Sequence, residues 1–384
     1  MTLRRLLALV MVAGFLSGCA TPPKTPVYRL EPVVSTTQQW NGIAASSDGR
    51  IFLAFPRWST AVPVSVGELL PDGTVKAFPD ATWNAWDGKT ENAARFVSVL
   101  SVHVDARNTL WVLDAGNPFF GPTLDGAAKL VEIDLGKGIV VRVLPLDGKA
   151  ALPTSFLNDL VVDAEKQTAY ITDCGAPALV VVDLKKGRVR RVLEDHASTK
   201  SEKIEVTIAG KPVRMPDGSV PDIHADGLVL DANGDYLYFQ ALTARTLHRI
   251  DTEALRDTSL SKKELADKVD THFASVVADG LYFARDGYLY ITSLEDQGLV
   301  RLTPSGELEK VASDPALQWP ASLAEDKDGH LLILDAQVQH WGQPPGKYTL
   351  YRMFPPLENG DSKASKARKK TFSFSVGAGI NSGW

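Results

Sequence analysis

Cysteine is almost missing from this chain of 384 residues: there are two, Cys19 and Cys174. Two thiols cannot build a disulfide scaffold or a four-cysteine zinc knuckle. CxxC and HExxH do not occur, and the seven histidines are scattered, so soft-metal sites of those types are excluded. Positive charge is also in short supply. Lysine and arginine number 41 against 46 aspartates and glutamates, a net charge of −5, so no global basic field draws in nucleic acid. Apart from the extreme N-terminus no long apolar run exists, which excludes a multi-span helical membrane protein. There is no Walker A pattern. Gly377-Ala378-Gly379 has no strand–turn–helix context, so it is not a dinucleotide fingerprint. What is there is an ordinary folded composition, 44% hydrophobic and 23% charged.

The N-terminus reads as an address. Arg4 and Arg5 precede the apolar stretch Leu6–Phe15, ten residues long and too short to span a bilayer. Leu16-Ser17-Gly18-Cys19 then resembles the bacterial lipobox, whose cysteine is lipidated and becomes the new N-terminus. That resemblance implies a signal peptide over 1–18, lipidation at Cys19 and a lipidated tether over 19–27. An ordinary cleaved signal with an incidental cysteine is the alternative. Ala20 after the cysteine implies the outer membrane, with the protein facing the periplasm or the secreted side. Several acyl chains would make the anchor stable. Cys174 is left as an inert thiol at a strand end, since no pattern beside it supports a catalytic role. The basic run Ser362–Lys370 reads as a solvated loop.

Between these termini one pattern recurs six times: a β-rich run, a turn built on Asp, Asn or Gly, and a second β-rich run. The copies cover 42–55, 101–114, 159–173, 227–241, 280–293 and 322–335. Asp48-Gly49, Asn233-Gly234, Asp286-Gly287 and Asp328-Gly329 are dipeptides that two-residue hairpin loops prefer. A third strand follows each hairpin and a fourth follows most, the last of them Thr371–Val376. The pattern predicts an all-β protein, a six-bladed β-propeller of four-stranded antiparallel blades over 28–376, with a tail over 377–384. Tyr28–Val34 has no unit of its own and is expected to join the last blade and close the ring, removing exposed edges. Lys203–Pro216 reads as an extra hairpin around Gly210-Lys211. Ser261–Lys268 reads as a short helix with Ser261 and Glu264 as a capping box.

Aligned by their turns, the copies place Asn41, Leu100, Asn158, Asp226, Asp279 and Ala321 just before the first strands. First strands line a propeller channel, so these positions form a ring on the axis. Asn158, Asp226 and Asp279 are candidate ligands for one hard divalent cation, Ca²⁺ or Mg²⁺. Without an ion, Asp226 and Asp279 would repel and one would become a usable general base. His103 and His224 lie near the ring as candidate proton shuttles or as structural histidines. Asn41, Trp40, Trp58, Asp159 and Trp319 are candidate ligand contacts. As turn residues, the same Asn and Asp side chains would only join blades.

Several segments in order resemble the major royal jelly protein/Yellow family: Trp40-Asn41-Gly42, GRIFLAFPRW (49–58), LWVLDAG (110–116), LNDLVVD (157–163), AYITDCGAPALVVVDL (169–184) and ADGLVL (225–230) with LYFQALTARTLHRI (237–250). The resemblance runs from about Tyr28 to Phe354. It implies a six-bladed propeller and, from bacterial members related to dopachrome tautomerase, an isomerase. The architecture is similar to gluconolactonase/regucalcin propellers, which hold a divalent cation on the axis through a Glu, Asn residues and an Asp. Asn158 and Asp226 match that pattern by register, whereas Asn41 stands where those lactonases carry Glu. The expected functions are thus an isomerase or lactonase-like hydrolase acting on a small polar or aromatic molecule, a binding protein for a small amine or aromatic ligand, or an envelope scaffold. The chain is expected to be a monomer, held to the membrane only by its lipid.

Overall fold

The computed structural model describes residues 28–355, apart from 61, 147, 149 and 341–345. Six four-stranded antiparallel sheets are arranged as a propeller. Blade one is Gly42–Ala45, Ile51–Ala54, Val66–Leu69 and Val75–Ala77; blade three is Leu157–Asp163, Thr168–Asp173, Ala178–Asp183 and Arg188–Val192. Blades two, four and five repeat this order, beginning at Val99–Val104, Ala225–Leu230 and Leu281–Phe283. Blade six is Pro320–Glu325, Leu331–Asp335 and Tyr348–Phe354, completed by Arg29–Thr36 from the start of the chain. First strands of successive blades pack on one another, and that of blade one packs on that of blade six, so the ring is closed.

The closing strand runs antiparallel to Tyr348–Phe354, with Arg29 opposite Phe354 and Thr36 opposite Tyr348. It is the outermost strand of blade six, so Thr371–Val376 does not hold that place; this segment, Cys19, the tether and the 377–384 tail lie outside the described residues. Burial explains why sequence periodicity was so informative. Second strands such as Thr168–Asp173 and Leu331–Asp335 are buried throughout, between two neighbouring blades. Outer strands such as Ile139–Pro145 alternate exposed and half-buried residues, as a strand with one wet face should.

A carboxylate locks the channel-mouth end in three blades. Asp114 accepts the backbone N–H groups of Val97, Ser98 and Gly116, and Asp173 those of Phe156, Gly175 and Ala176. Asp335 accepts that of Trp319. Each sits at the end of a second strand and ties it to the segment leading into its own first strand. The buried charges are compensated in two of them, by Lys129 at 2.7 Å from Asp114 and Arg191 at 2.6 Å from Asp173.

The expected insertions are present. Thr207–Ile208 and Lys211–Pro212 form a two-stranded hairpin outside the blades, turning at Ala209 and Gly210, one residue earlier than the sequence indicated. Lys262–Ala266 is helical, and Ser261 and Glu264 bond reciprocally as a capping box. The fourth strand of blade four, Asp270–Ala274, comes only after this insertion.

Candidate functional site

The ring positions are shaped by bulges. Pairing of first with second strands slips at Val99/Ser101, Leu157/Leu160, Ala225/Leu228 and Pro320/Ser322. These slips bracket Leu100, Asn158, Asp226 and Ala321. A bulge re-aims the side chains it contains. Thr172 and Thr292, in the second strands of blades three and five, secure the irregular backbone. The Thr172 hydroxyl receives the Asp159 N–H and donates to the Asp226 carbonyl, and the Thr292 hydroxyl receives the N–H groups of Asp279 and Gly280. Glycine follows the ring position where neighbouring strands come closest. A Cβ on Gly227 would collide with the carbonyl oxygen of Asp279, and one on Gly280 would sit 2.5 Å from that of Ala321. The same two glycines thus set the spacing of the Asp226, Asp279 and Ala321 backbones.

Asn41, Asn158, Asp226, Asp279, Trp58 and Trp319 all line one cavity of about 260 Å³ at the channel mouth. The Asn158 amide donates to Asp226 Oδ1, and the Trp319 indole N–H donates to Asp279 Oδ2 at 2.6 Å. Asn41 donates to the Leu100 carbonyl at 3.3 Å. No lysine or arginine lines this cavity among the described residues. Burial pushes the Asp279 carboxyl up to about 7, with Asp159 adding repulsion and the Trp319 bond opposing it. Burial likewise raises Asp226 well above the usual range, and the charges of Asp279 and Asp159 push it further.

The other sequence candidates lie elsewhere. Trp40 is fully buried in the core, gives its indole N–H to the Asp335 carbonyl and does not line the cavity. Asp159 follows Asn158 on the same strand and bonds the Ser101 hydroxyl at 2.8 Å, below the cavity; desolvation raises it to about 6. His103 lies further along the channel, bonded to the Val162 carbonyl and pushed down to about 4 by burial. His224 uses Nδ1 to accept the Ser201 N–H and is not part of the cavity wall. Neither histidine lines the cavity, and each uses a ring nitrogen on a backbone group.

Beside Trp58, a ligand contact expected from the sequence, stand two aromatic residues that were not expected, Phe120 and Phe156. Trp58 and Phe120 stack at 5.0 Å between centroids and 17° between planes, and Phe120 and Phe156 at 6.2 Å and 13°. Phe120 comes from the Asn117–Gly121 loop of blade two, where Phe119 and Phe120 both hold left-handed backbone, φ 59° and 56°. Two adjacent non-glycine residues in that region store strain, a frequent companion of binding sites. The legible signal was Phe-Phe in a Pro/Gly loop, where apolar bulk has no core to fill. Cys174 also lines the cavity, and burial together with Asp226, Asp173 and Asp279 keeps its thiol well above the ordinary range.

A family model described as "Major royal jelly protein" matches residues 97–345, well over half of the chain. The chain belongs to the major royal jelly protein family. Among relatives of this royal jelly family member, Major royal jelly protein 7 of Apis mellifera is 23% identical over 47% of the chain and 40% of its own length. Dopaminechrome tautomerase of Drosophila melanogaster is 27% identical over 38% of the chain and 34% of its own length. The chain thus spans well under half the length of these relatives. Similar solved structures include a gluconolactonase from Xanthomonas campestris, TM-score 0.55 at 15% identity, covering 86% of this chain and 90% of that one. Another is a calcium-binding protein, regucalcin, from Agrobacterium tumefaciens, TM-score 0.50 at 13% identity, covering 85% and 97%. At such identities these likenesses speak for the fold.

Proposed function

We propose that this propeller is an enzyme that moves a proton within a small, flat, cationic or quinonoid molecule at the channel mouth, an isomerase of the tautomerase type. The observation that carries this reading is a buried pair of carboxylates, Asp226 and Asp279, in one cavity with an aromatic stack and no basic side chain. A ligand ring would lie on Trp58 and Phe120, and a positive group would meet the carboxylates. Asp279, held near 7, is part ionised at neutral pH and takes a proton from a carbon beside the ligand's iminium or carbonyl. Asp226, whose carboxyl burial and the charges of Asp279 and Asp159 raise well above the usual range, is the partner that gives a proton to the carbonyl oxygen. One proton leaves and one arrives, so the product is an isomer and no oxidant or water is consumed. The similarity to dopaminechrome tautomerase of Drosophila melanogaster supports this reaction class.

A second reading rests on the donor set. Asn41, Asn158, Asp226 and Asp279 offer only oxygen, and each carboxylate keeps one oxygen outside the bonds described above among the described residues, which fits a hard divalent ion. Such an ion would polarise a substrate carbonyl, as hydrolysis of a lactone needs. The cluster Asp326, Asp328 and His330, in the blade-six hairpin turn, fits an ion less well, because Arg352 already holds Asp326 at 2.9 Å.

Absorbance assays with an aminochrome, an aldonolactone and tyramine, each with and without chelator, separate the readings. Chelator-resistant loss of the aminochrome chromophore supports the isomerase. Chelator-sensitive lactone opening supports the hydrolase. Tyramine binding without turnover of anything leaves a capture protein. For location, we propose lipid anchoring through Cys19 in the outer membrane; Cys19→Ala should accumulate as unprocessed precursor, and normal cleavage at an unchanged site would refute it.

A further inference from the structure

A second, larger cavity of about 770 Å³ lies beside the first. Its walls are the inserted hairpin and the rim loops of blades five and six. Met215 lines both cavities; Trp319 in one is preceded along the chain by Gln318 in the other, and Val338 is followed by Gln339. The two are therefore neighbours divided by an unbranched thioether side chain, the sort of partition that can shift without breaking a hydrogen bond.

Their chemistry is opposite. The axial cavity carries Asp222, Asp226 and Asp279 and no cation. The side cavity carries Lys211, Arg214, His340 and the amides of Gln297, Gln318 and Gln339, and no carboxylate. Arg214 is already held by Glu205 at 3.0 Å, outside the cavity. Lys211, exposed on the second strand of the hairpin, has no ion-pair partner within 4.0 Å among the described residues. Gln339 keeps its amide oxygen buried with no hydrogen-bond partner among the described residues, an acceptor that suits an N–H or O–H group.

We infer that the side cavity is a second subsite, which takes a carboxylate-bearing extension of the molecule whose cationic aromatic head occupies the axial pocket. This rests on the reading of the axial pocket given above. Lys211 recognises the carboxylate, and an N–H of the extension satisfies Gln339. The substrate class is then a cationic aromatic or quinonoid head linked to an acidic amide, and not the bare head: the axial pocket has a volume of about 260 Å³ against about 770 Å³ for the side cavity.

Calorimetric titration of the intact protein with three probes tests this: tyramine, the dipeptide Tyr-Glu, and its neutral counterpart Tyr-Gln amide. Tyr-Glu should bind about tenfold more tightly than tyramine, the worth of one charge-assisted hydrogen bond. Tyr-Gln amide should fall between them. Lys211→Glu, a change at an exposed hairpin position, should erase the Tyr-Glu advantage and leave tyramine unchanged. Asp226→Asn should weaken all three probes. If Tyr-Glu and tyramine bind the wild type equally, or if Lys211→Glu weakens both alike, the subsite is refuted while the axial reading stands. If no probe binds, the axial reading falls and takes the subsite with it.

Discussion

Asp226 and Asp279 are expensive residues to bury side by side, and their cost depends on pH in a definite direction. The Asp279 carboxyl is raised from 3.8 in the unfolded chain to about 7 when folded. Between those values the folded state binds the extra proton, so stability from this group is complete below about 4 and is lost as pH rises through 7. Asp279→Asn should therefore unfold at higher urea than the wild type at pH 8, and the difference should shrink as pH falls and vanish only below about pH 4. Equal midpoints at pH 8 would mean that the charge is already neutralised in the folded protein. Both aspartates were legible in the sequence, because register alone put them at equivalent places in repeated units. Trp40, His103 and His224 were misleading for the same reason: being close to a ring position in sequence says nothing about which way a side chain points. Trp40 gives its indole N–H to the Asp335 carbonyl, His103 bonds the Val162 carbonyl and His224 accepts the Ser201 N–H. Phe120 left only the Phe-Phe pair in a Pro/Gly loop as a signal and Phe156 left none, because loop geometry, not register, brings them to the pocket.

Strands and loops carry the positioning. The Asp173 clamp joins the second strand of blade three to Phe156 beside the cavity and neutralises Arg191, whose side chain is 5% exposed. Asp173→Ala leaves that guanidinium buried and three backbone N–H groups unpaired, so it should cost about 3–5 kcal/mol in denaturant unfolding. A loss under ~1 kcal/mol would show that water replaces the clamp easily. Gly227→Ala tests the close approach of blades four and five. Adding the methyl forces the Asp279 backbone aside, and should cost about 1–3 kcal/mol while lowering turnover. Unchanged stability with unchanged turnover would contradict the spacing role. The hairpins, the capping box and the closing strand were readable from turn dipeptides and alternation. The bulges were not, since a one-residue slip leaves no mark in composition.

Across the whole molecule, six units enclose one axis and the first strand of the chain closes the last blade. Removing residues 28–36 would expose the Tyr348–Phe354 edge. The shortened protein should aggregate or lose cooperative unfolding, and a monomeric, cooperatively unfolding product would contradict closure by that strand. The closed ring brings the first strands of the blades together, and with them three desolvated carboxylates, Asp159, Asp226 and Asp279. It also explains how much of the function escaped the sequence. Repeat count gives architecture, whereas chemistry depends on insertions and loops that differ from blade to blade. The central claim is that Asp226 and Asp279 act together as acid and base. Its most direct test is the rate of aminochrome decolourisation as a function of pH for the wild type, Asp226→Asn and Asp279→Asn. A bell-shaped wild-type profile centred near neutral pH, with each variant slower by about 10²–10⁴, is the predicted result; equal rates in all three proteins would contradict it.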